Sequence, residues 1–594
     1  MTSSNDRSDM TSSNKAPKII LLFLLLLVGF LIFLSVMLMT AVKPRSLPSI
    51  YTSDTSRAQR GNIISADGFH IASTQKLYKA VVNTRNIDPG KRELFIKLFS
   101  IYSGVDAKEI AQKLRSRNGS VVLSYNISPK RAQYLKSLAF ELRRLNVFTE
   151  YTLPDGRAIL HGLNIVESGE TREYPYGKLL TPVIGYPRKV EDQGYTKNRG
   201  VKGVEKQFND SLAARQDEEQ RARRDVNNYM ILNKESITKP GLDGYDVHLT
   251  IPVTLQIRVE RILDRLKGEL EADEILAVIM ESESGKIRTL ASSNRFLPKD
   301  IRRSDYPSLN INAIEYSFEP GSVIKALTFA LLLEHNKVNP FDLVNGHNGR
   351  FKIGRKIITD EHKFDWLSAE NVIVHSSNVG IAQLIQKLDA VAYYQGLLDF
   401  GFTRSSGIDL PYEQKGSIPS LRQLESEIYK ATTSYGYGMR VNLIQLIKAY
   451  NAFNNNGRMV IPYVTEVLVD ERGRRILLER DEPEQVLSPA TAQRMKKILI
   501  KTVNEGTGVG TRTPGLEIGG KTGTAHIAEK GRYVNQYNSS FVGFVNDAKR
   551  RYTIAVTVVK PKKHHFASLT AVATFKAIVD MMVEEGYLKV AGSE

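Results

Sequence analysis

Hydrophobic positions dominate from Ile19 to Val42, 24 residues without a charge, long enough as a helix to cross a bilayer core of roughly 30 Å. A cleaved signal peptide has a shorter apolar stretch and a small-residue cleavage site, so an uncleaved anchor is expected. From Pro44 to Pro240 short β-rich stretches alternate with charged helical ones such as Pro129 to Leu145, in the manner of an elongated, loosely packed module. The charge-dense run from Gln216 to Arg224, followed by Lys239-Pro240-Gly241, marks a boundary. Beyond it Asp246 to Pro252 reads as strand and turn, and Val253 to Leu266 as helix. Ala277 to Met280, Phe541 to Val545 and Thr553 to Val559 are short β-rich runs, with longer helical segments between Ser322 and Ala452. This pattern predicts an α/β (α+β) domain with an antiparallel sheet and a helical subdomain.

Length adds that 594 residues exceed one ordinary core. The absence of cysteine removes disulfides, thiolate metal sites and cysteine nucleophiles. A net charge of +18 favours an anionic partner. No zinc-finger spacing, RNA-binding aromatic motif or basic-region heptad accompanies that charge, so no nucleic-acid partner is expected. Arg7, Lys15 and Lys18 precede the apolar span and Lys43 and Arg45 follow it, which leaves orientation open on charge alone. The tail repeats MTSSN at Met1 to Asn5 and Met10 to Asn14, is polar enough to be disordered, and offers Met10 as an alternative start.

Three segments carry chemistry. In Glu319-Pro-Gly-Ser-Val-Ile-Lys325 a Pro-Gly turn opens the apolar helix pattern VIKALTFALLLE, which puts Ser322 at a helix N-terminus and Lys325 on the same face one turn later. Ser322 is the candidate nucleophile and Lys325 its base, provided that burial or a nearby cation lowers the lysine pKa. Alone the motif is weak, because Ser12 with Lys15 and Ser73 with Lys76 share the spacing, and an isolated match is usually only a helix cap.

Two further segments make the set specific: His375-Ser-Ser-Asn-Val-Gly380 and Ile518-Gly-Gly-Lys-Thr-Gly-Thr-Ala525. In the first, Ser376 can relay a proton and the Asn378 amide can bind a substrate peptide. In the second, Lys521 supplies charge or a proton relay and Thr522 and Thr524 supply hydroxyls. Gly520 and Gly523 are expected to leave room for a ligand to approach the strand backbone. An extended substrate would pair with this strand, with the backbone N–H groups of Ser322 and Thr524 as an oxyanion hole.

In order and spacing these motifs resemble the serine acyl-transferases that include penicillin-binding proteins and class A β-lactamases. With Arg60-Gly-Asn-Ile63, Gly203-Val-Glu205, Leu249-Thr-Ile251 and Tyr435-Gly-Tyr-Gly438, the chain is similar to class B penicillin-binding proteins. The resemblance implies a penicillin-binding transpeptidase fold behind one transmembrane anchor and a non-catalytic pedestal. The expected division is a cytoplasmic tail over 1–18, an anchor over 19–42, a pedestal over 43–240 and a transpeptidase domain over 241–594. It further implies a catalytic head outside the inner membrane. Ser322, Lys325, Ser376 and Lys521 would be catalytic, and Asn378, Thr522, Gly523 and Thr524 substrate-binding, with no cofactor and no metal.

The implied substrates are peptidoglycan stem peptides, with β-lactams as inhibitors. The implied partners are a membrane-embedded, FtsW-like glycosyltransferase and other division proteins. The second motif ends in Asn378 followed by Val379-Gly380, as in FtsI-type septal enzymes, whereas in elongation-type relatives, the alternative reading, it tends to end in aspartate followed by an aromatic run. Two departures stand out. Ser65-Ala-Asp-Gly68 replaces the usual Asp-Arg-Asn-Gly, which puts pedestal contacts in doubt, and His526 replaces a frequent glutamine, which puts fine substrate preference in doubt. A soluble β-lactamase would be shorter and need a water-activating group, a β-lactam sensor would have more spans, and a degenerate scaffold would lack a catalytic residue. A minor D,D-carboxypeptidase activity is compatible with the same motifs.

Overall fold

The computed structural model describes residues 16–42, 51–116, 118–152, 158–192, 194–224, 230–231, 233, 236–529 and 531–591. Arg7, Lys15, Lys43, Arg45 and the repeated tail lie outside the described residues. The chain forms two compact units. The first contains a helix over Ala16–Val42, long and apolar enough to span a membrane and starting three residues before the apolar run. It also contains a small sheet in which Tyr51–Ser56 pairs antiparallel with Glu218–Arg224, and the latter with Ile237–Lys239. The charged run read as a boundary is therefore largely a strand. Alternating charges suit strands that expose their side chains to water.

The second unit comprises Arg57–Asp217 and Pro240–Glu594. One nine-stranded sheet runs through it and crosses residue 240: Asp246–Leu249 lies parallel to Ile63–Ile64 and antiparallel to Thr465–Val469. The family-like segments upstream converge on a buried ion cluster. The Arg60 guanidinium binds Glu205 at 2.8 Å and Arg172 binds the other carboxylate oxygen at 2.7 Å. Removing one member would strand buried charge, which typically costs about 3–5 kcal/mol. Within the Ser65-Ala-Asp-Gly68 departure, Asp67 accepts from the amides of Val253 and Thr254 at 2.9 and 3.1 Å. It thereby satisfies the orphan N-terminal donors of helix Val253–Leu270.

The second large sheet of this unit has five antiparallel strands in the order Ile287–Ser292, Glu274–Glu281, Arg551–Val559, Arg532–Asn546, Glu517–Glu529. Period-two alternation divides its side chains between two cores. Ile275, Ala277 and Ile279 pack with helices Val253–Leu270 and Ala571–Glu584 on one face. Leu276, Val278 and Met280 pack with helices Ile324–Glu334 and Leu443–Asn454 on the other. The α+β expectation holds, with small hairpins such as Arg350–Ile353 with Lys356–Thr359 set among the helices. Helix Ile324–Glu334 is buried from Ile324 to Leu333, as an all-round apolar pattern requires. Any charged residue on it must be desolvated, and Lys325 is on it.

Candidate active site

Ser322 sits in a tight turn, Gly321–Val323, that runs straight into this buried helix. Gly321 adopts φ +61°, a left-handed conformation that glycine takes at least cost. Its amide donates to Gly436 O at 3.2 Å, and a Cβ on Gly436 would lie 2.1 Å from Gly321 O. The Tyr435-Gly-Tyr-Gly438 segment thus buttresses the turn, and Tyr450 OH donates to Val323 O at 2.5 Å.

The second segment arrives between two short helices, Ala369–Val374 and Asn378–Leu384. Ser376 joins them at φ +60°. Asp360, which carries no sequence signal, anchors this joint: it accepts from Ser377 Oγ and Asn378 N, each at 2.5 Å, and from Val379 N at 3.0 Å. A Cβ on Gly380 would lie 2.5 Å from Val372 Cγ2, so the small residue after Asn378 lets the two helices pack closely. The Asn378 side chain donates to Thr359 O at 3.0 Å.

Lys325 connects the first two segments. Its Nζ donates to Ser376 O at 2.5 Å and to Ser376 Oγ at 3.1 Å. Burial pushes the Lys325 amine down to about 7, against the opposing pull of Asp360 and Glu361. The amine is held by Ser376, and among the described residues it makes no hydrogen bond to Ser322.

Lys521, Thr522, Gly523 and Thr524 lie on Glu517–Glu529, the edge strand of the five-stranded sheet, which among the described residues pairs only with Arg532–Asn546. Lys521 is fully buried, and its amine reaches Thr522 Oγ1 at 3.3 Å and Thr507 Oγ1 at 3.5 Å. Burial, and then the charge of Lys325, hold Lys521 well below the usual lysine range, with Glu361 opposing. The two amines therefore disfavour each other's charge. Thr522 donates to Thr507 Oγ1 at 2.7 Å, and Thr524 Oγ1 accepts from Ala567 N at 3.1 Å.

The glycines of this strand make room inside the protein. A Cβ on Gly523 would meet Pro320 O and Val323 Cγ1, each at 2.9 Å, and one on Gly520 would meet the Phe541 ring at 2.5 Å. They admit the Ser322 turn and a core ring. Ser322, Ser376, Asn378, Thr522 and Thr524 line one cleft of about 70 Å³, together with Thr507, Asp360 and Glu361. Lys325 and Lys521 lie buried beside it. Ser73 and Lys76, the described decoy, lie on strand His70–Asn83, where Lys76 pairs with Glu167 at 2.9 Å. Thr507 lies between Gly506 and Gly508, just after helix Pro489–Glu505, and belongs to none of the three motif segments. His526 is exposed, and its ring packs 4.4 Å from that of Tyr537.

The penicillin binding protein transpeptidase domain model matches residues 275–580, just over half of the chain, and the penicillin-binding protein dimerisation domain model matches 55–249. Stage V sporulation protein D of Bacillus subtilis is 28% identical over 70% of this chain and 65% of its own length, just under two thirds. The probable peptidoglycan D,D-transpeptidase PenA of Neisseria meningitidis is 25% identical over 96% of this chain and 93% of its own. Among solved structures, penicillin binding protein 2X of Streptococcus thermophilus superposes with a TM-score of 0.75 at 19% identity, covering 91% of this chain and 83% of that one. Penicillin binding protein 3 of Mycobacterium tuberculosis gives 0.64 at 21%, covering 91% and 98%. The fold is the one these structures share, and the chain belongs to the penicillin-binding protein transpeptidase family.

Proposed function

We propose that this protein is a membrane-anchored, penicillin-sensitive peptidoglycan D,D-transpeptidase that works through an acyl-enzyme on Ser322. The observation that carries the reading is Lys325: a fully buried amine, lowered to about 7 and hydrogen-bonded to Ser376, one helical turn beyond a serine in a cleft. Such an amine is free to act as a base at neutral pH, which an ordinary lysine is not. Ser322 Oγ attacks the penultimate D-Ala carbonyl of a stem peptide and its proton passes to Lys325. The C–N bond to the terminal D-Ala breaks, and Ser376 relays a proton to the departing amine. An amine of a second stem peptide then attacks the ester. A new amide forms, the bond to Ser322 breaks, and the serine regains its proton. The Ser322 and Thr524 amides would stabilise both oxyanions.

Lys521 meets the terminal carboxylate of the substrate, whose arrival favours the charged amine that burial disfavours in the empty cleft. The edge position of Glu517–Glu529 supports strand-like pairing with the peptide. The relative from Neisseria meningitidis is named a probable peptidoglycan D,D-transpeptidase, and penicillin binding protein 3 of Mycobacterium tuberculosis has been solved with aztreonam and with ampicillin. A pentapeptide donor with an amine acceptor should yield one D-Ala per cross-linked product. Exclusive hydrolysis would contradict the transpeptidase assignment.

The apolar helix supports a single-pass anchor over 19–42, with the tail in the cytoplasm, the pedestal over 43–240 and the catalytic domain over 241–594 outside the inner membrane. Val379-Gly380 after Asn378 favours a septal role beside an FtsW-like glycosyltransferase and other division proteins. Depletion in the native host should give filaments with failed septa. Swollen cells that still divide would overturn the septal role alone.

A further inference from the structure

Asp360 follows directly on the hairpin strand Lys356–Thr359 and belongs to none of the three motif segments. Its backbone is tied to the base of that hairpin, where Asp360 N donates to Gly349 O at 3.0 Å. Its side chain crosses to the start of helix Asn378–Leu384. There Oδ1 accepts from the amides of Asn378 and Val379, and Oδ2 accepts from the Ser377 hydroxyl. Ser377 Oγ in turn accepts from Gly380 N at 2.8 Å, so Asp360 and Ser377 together satisfy the first three amides of the helix. The strand adds a second tether, because Thr359 O accepts from Asn378 Nδ2 at 3.0 Å.

Ser376 stands immediately before this clamp. At φ +60° it holds a conformation that a non-glycine residue keeps only where its surroundings over-determine it. On one side it hangs on helix Ala369–Val374, its amide donating to Ile373 O at 3.2 Å. On the other side the anchor is the Asp360 carboxylate. Between them the Ser376 oxygens meet Lys325 Nζ at 2.5 and 3.1 Å. A lysine stem is flexible, so the acceptors at its tip decide where the amine points. Both of those acceptors belong to Ser376.

The carboxylate also carries charge. Asp360 and Glu361 both favour the protonated Lys325 amine, against the burial that lowers it. Position and charge therefore act on the base in opposite senses: the clamp aims it and the charge restrains it. Lys325 is in turn coupled to Lys521, and His362 and His375 line the same cleft.

We propose that Asp360 is a positioning residue for the acylation of Ser322: it clamps Ser377, Asn378 and Val379 so that the two Ser376 oxygens aim the Lys325 amine. The proposal rests on the transpeptidase reading above and adds a residue that acts through Ser376 and Lys325 rather than on the reacting atoms.

The test separates position from charge in the full-length protein. Asp360→Asn keeps Oδ1 for the two amides and removes the charge. Asp360→Glu keeps the charge and moves the carboxylate by one methylene. Rate constants for acylation by an uncharged β-lactam ester are measured from pH 5.5 to 8.5, below each protein's unfolding transition. Comparison with wild type cancels Glu361, His362 and His375, which every variant retains. Asp360→Glu should level off at least about tenfold below Asp360→Asn, as expected when a catalytic group is displaced. In Asp360→Asn the rate at pH 6, relative to that variant's own plateau, should be at least about twofold higher than in wild type, because the base has lost a neighbouring negative charge. A purely structural role moves the thermal unfolding midpoint and neither of these. Should the longer side chain prevent folding, Ser377→Ala takes its place: it deletes one donor of the clamp and should lower the plateau at least about threefold without moving the pH midpoint. A plateau in Asp360→Glu equal to or above that of Asp360→Asn, an undiminished plateau in Ser377→Ala, or a wild-type pH midpoint in Asp360→Asn overturns the proposal. Fluorescent penicillin on the wild-type protein separates the two claims. Labelling of Ser322 with one of these contrary results removes the role of Asp360 alone, whereas no labelling removes the transpeptidase reading.

Discussion

Lys325 Nζ lies 2.5 Å from the backbone oxygen and 3.1 Å from the hydroxyl of Ser376, so one amine ties the helix that follows Ser322 to the second motif. Ser376 holds it from the left-handed region, in a joint anchored by Asp360. The amine has been taken out of water and given two acceptors, the environment that the proposed base requires.

The pH dependence of acylation follows from this. A lysine works as a base only when neutral, and the neutral fraction of Lys325 grows as pH rises through about 7. The second-order rate constant for acylation by a β-lactam should therefore climb with pH, about tenfold per unit well below 7, and level off above it. Stopped-flow acylation between pH 5.5 and 8.5, with an uncharged ligand so that Lys521 does not contribute, measures this. A flat profile across that range would remove Lys325 as the base.

Lys521→Ala should slow acylation by carboxylate-bearing β-lactams by about ten- to a hundredfold, the range expected for losing one charge-assisted hydrogen bond. Esterifying the ligand should erase the difference between wild type and variant. An equal loss with the ester would show that Lys521 acts through its coupling to Lys325 instead.

Gly523→Ala should separate stability from activity. The added methyl meets Pro320 O and Val323 Cγ1 at 2.9 Å and must push the edge strand away from the Ser322 turn. Displacements near 1 Å at a reacting centre cost about a hundredfold in rate. Acylation should fall at least tenfold while the thermal unfolding midpoint moves by only a few degrees, about what 1 kcal/mol produces. An unchanged rate would mean that the turn does not need this close approach.

Much of the site can be read along the chain because its signals are local. Pro-Gly before an all-apolar helix places Ser322 and buries Lys325, and period-two runs place the sheet strands. What escapes comes from far along the chain. Asp360 precedes Ser377 by seventeen residues and has no motif of its own. Thr507 meets Lys521 and Thr522 only through the fold. A glycine in a sequence does not name what a Cβ would meet, and at Gly520 and Gly523 those neighbours are Phe541 and the Ser322 turn, which only the fold reveals. Asp67 reads as a departure from a motif, yet its carboxylate caps helix Val253–Leu270, a role that any well-placed acceptor fills.

The central claim is that Ser322 becomes the ester-bearing residue. Full-length protein treated with a fluorescent penicillin, digested and mapped by mass spectrometry, should carry one adduct, on the peptide containing Ser322, and Ser322→Ala should carry none while keeping its thermal unfolding transition. An adduct on another residue, or undiminished labelling of the Ser322→Ala protein, would contradict the account.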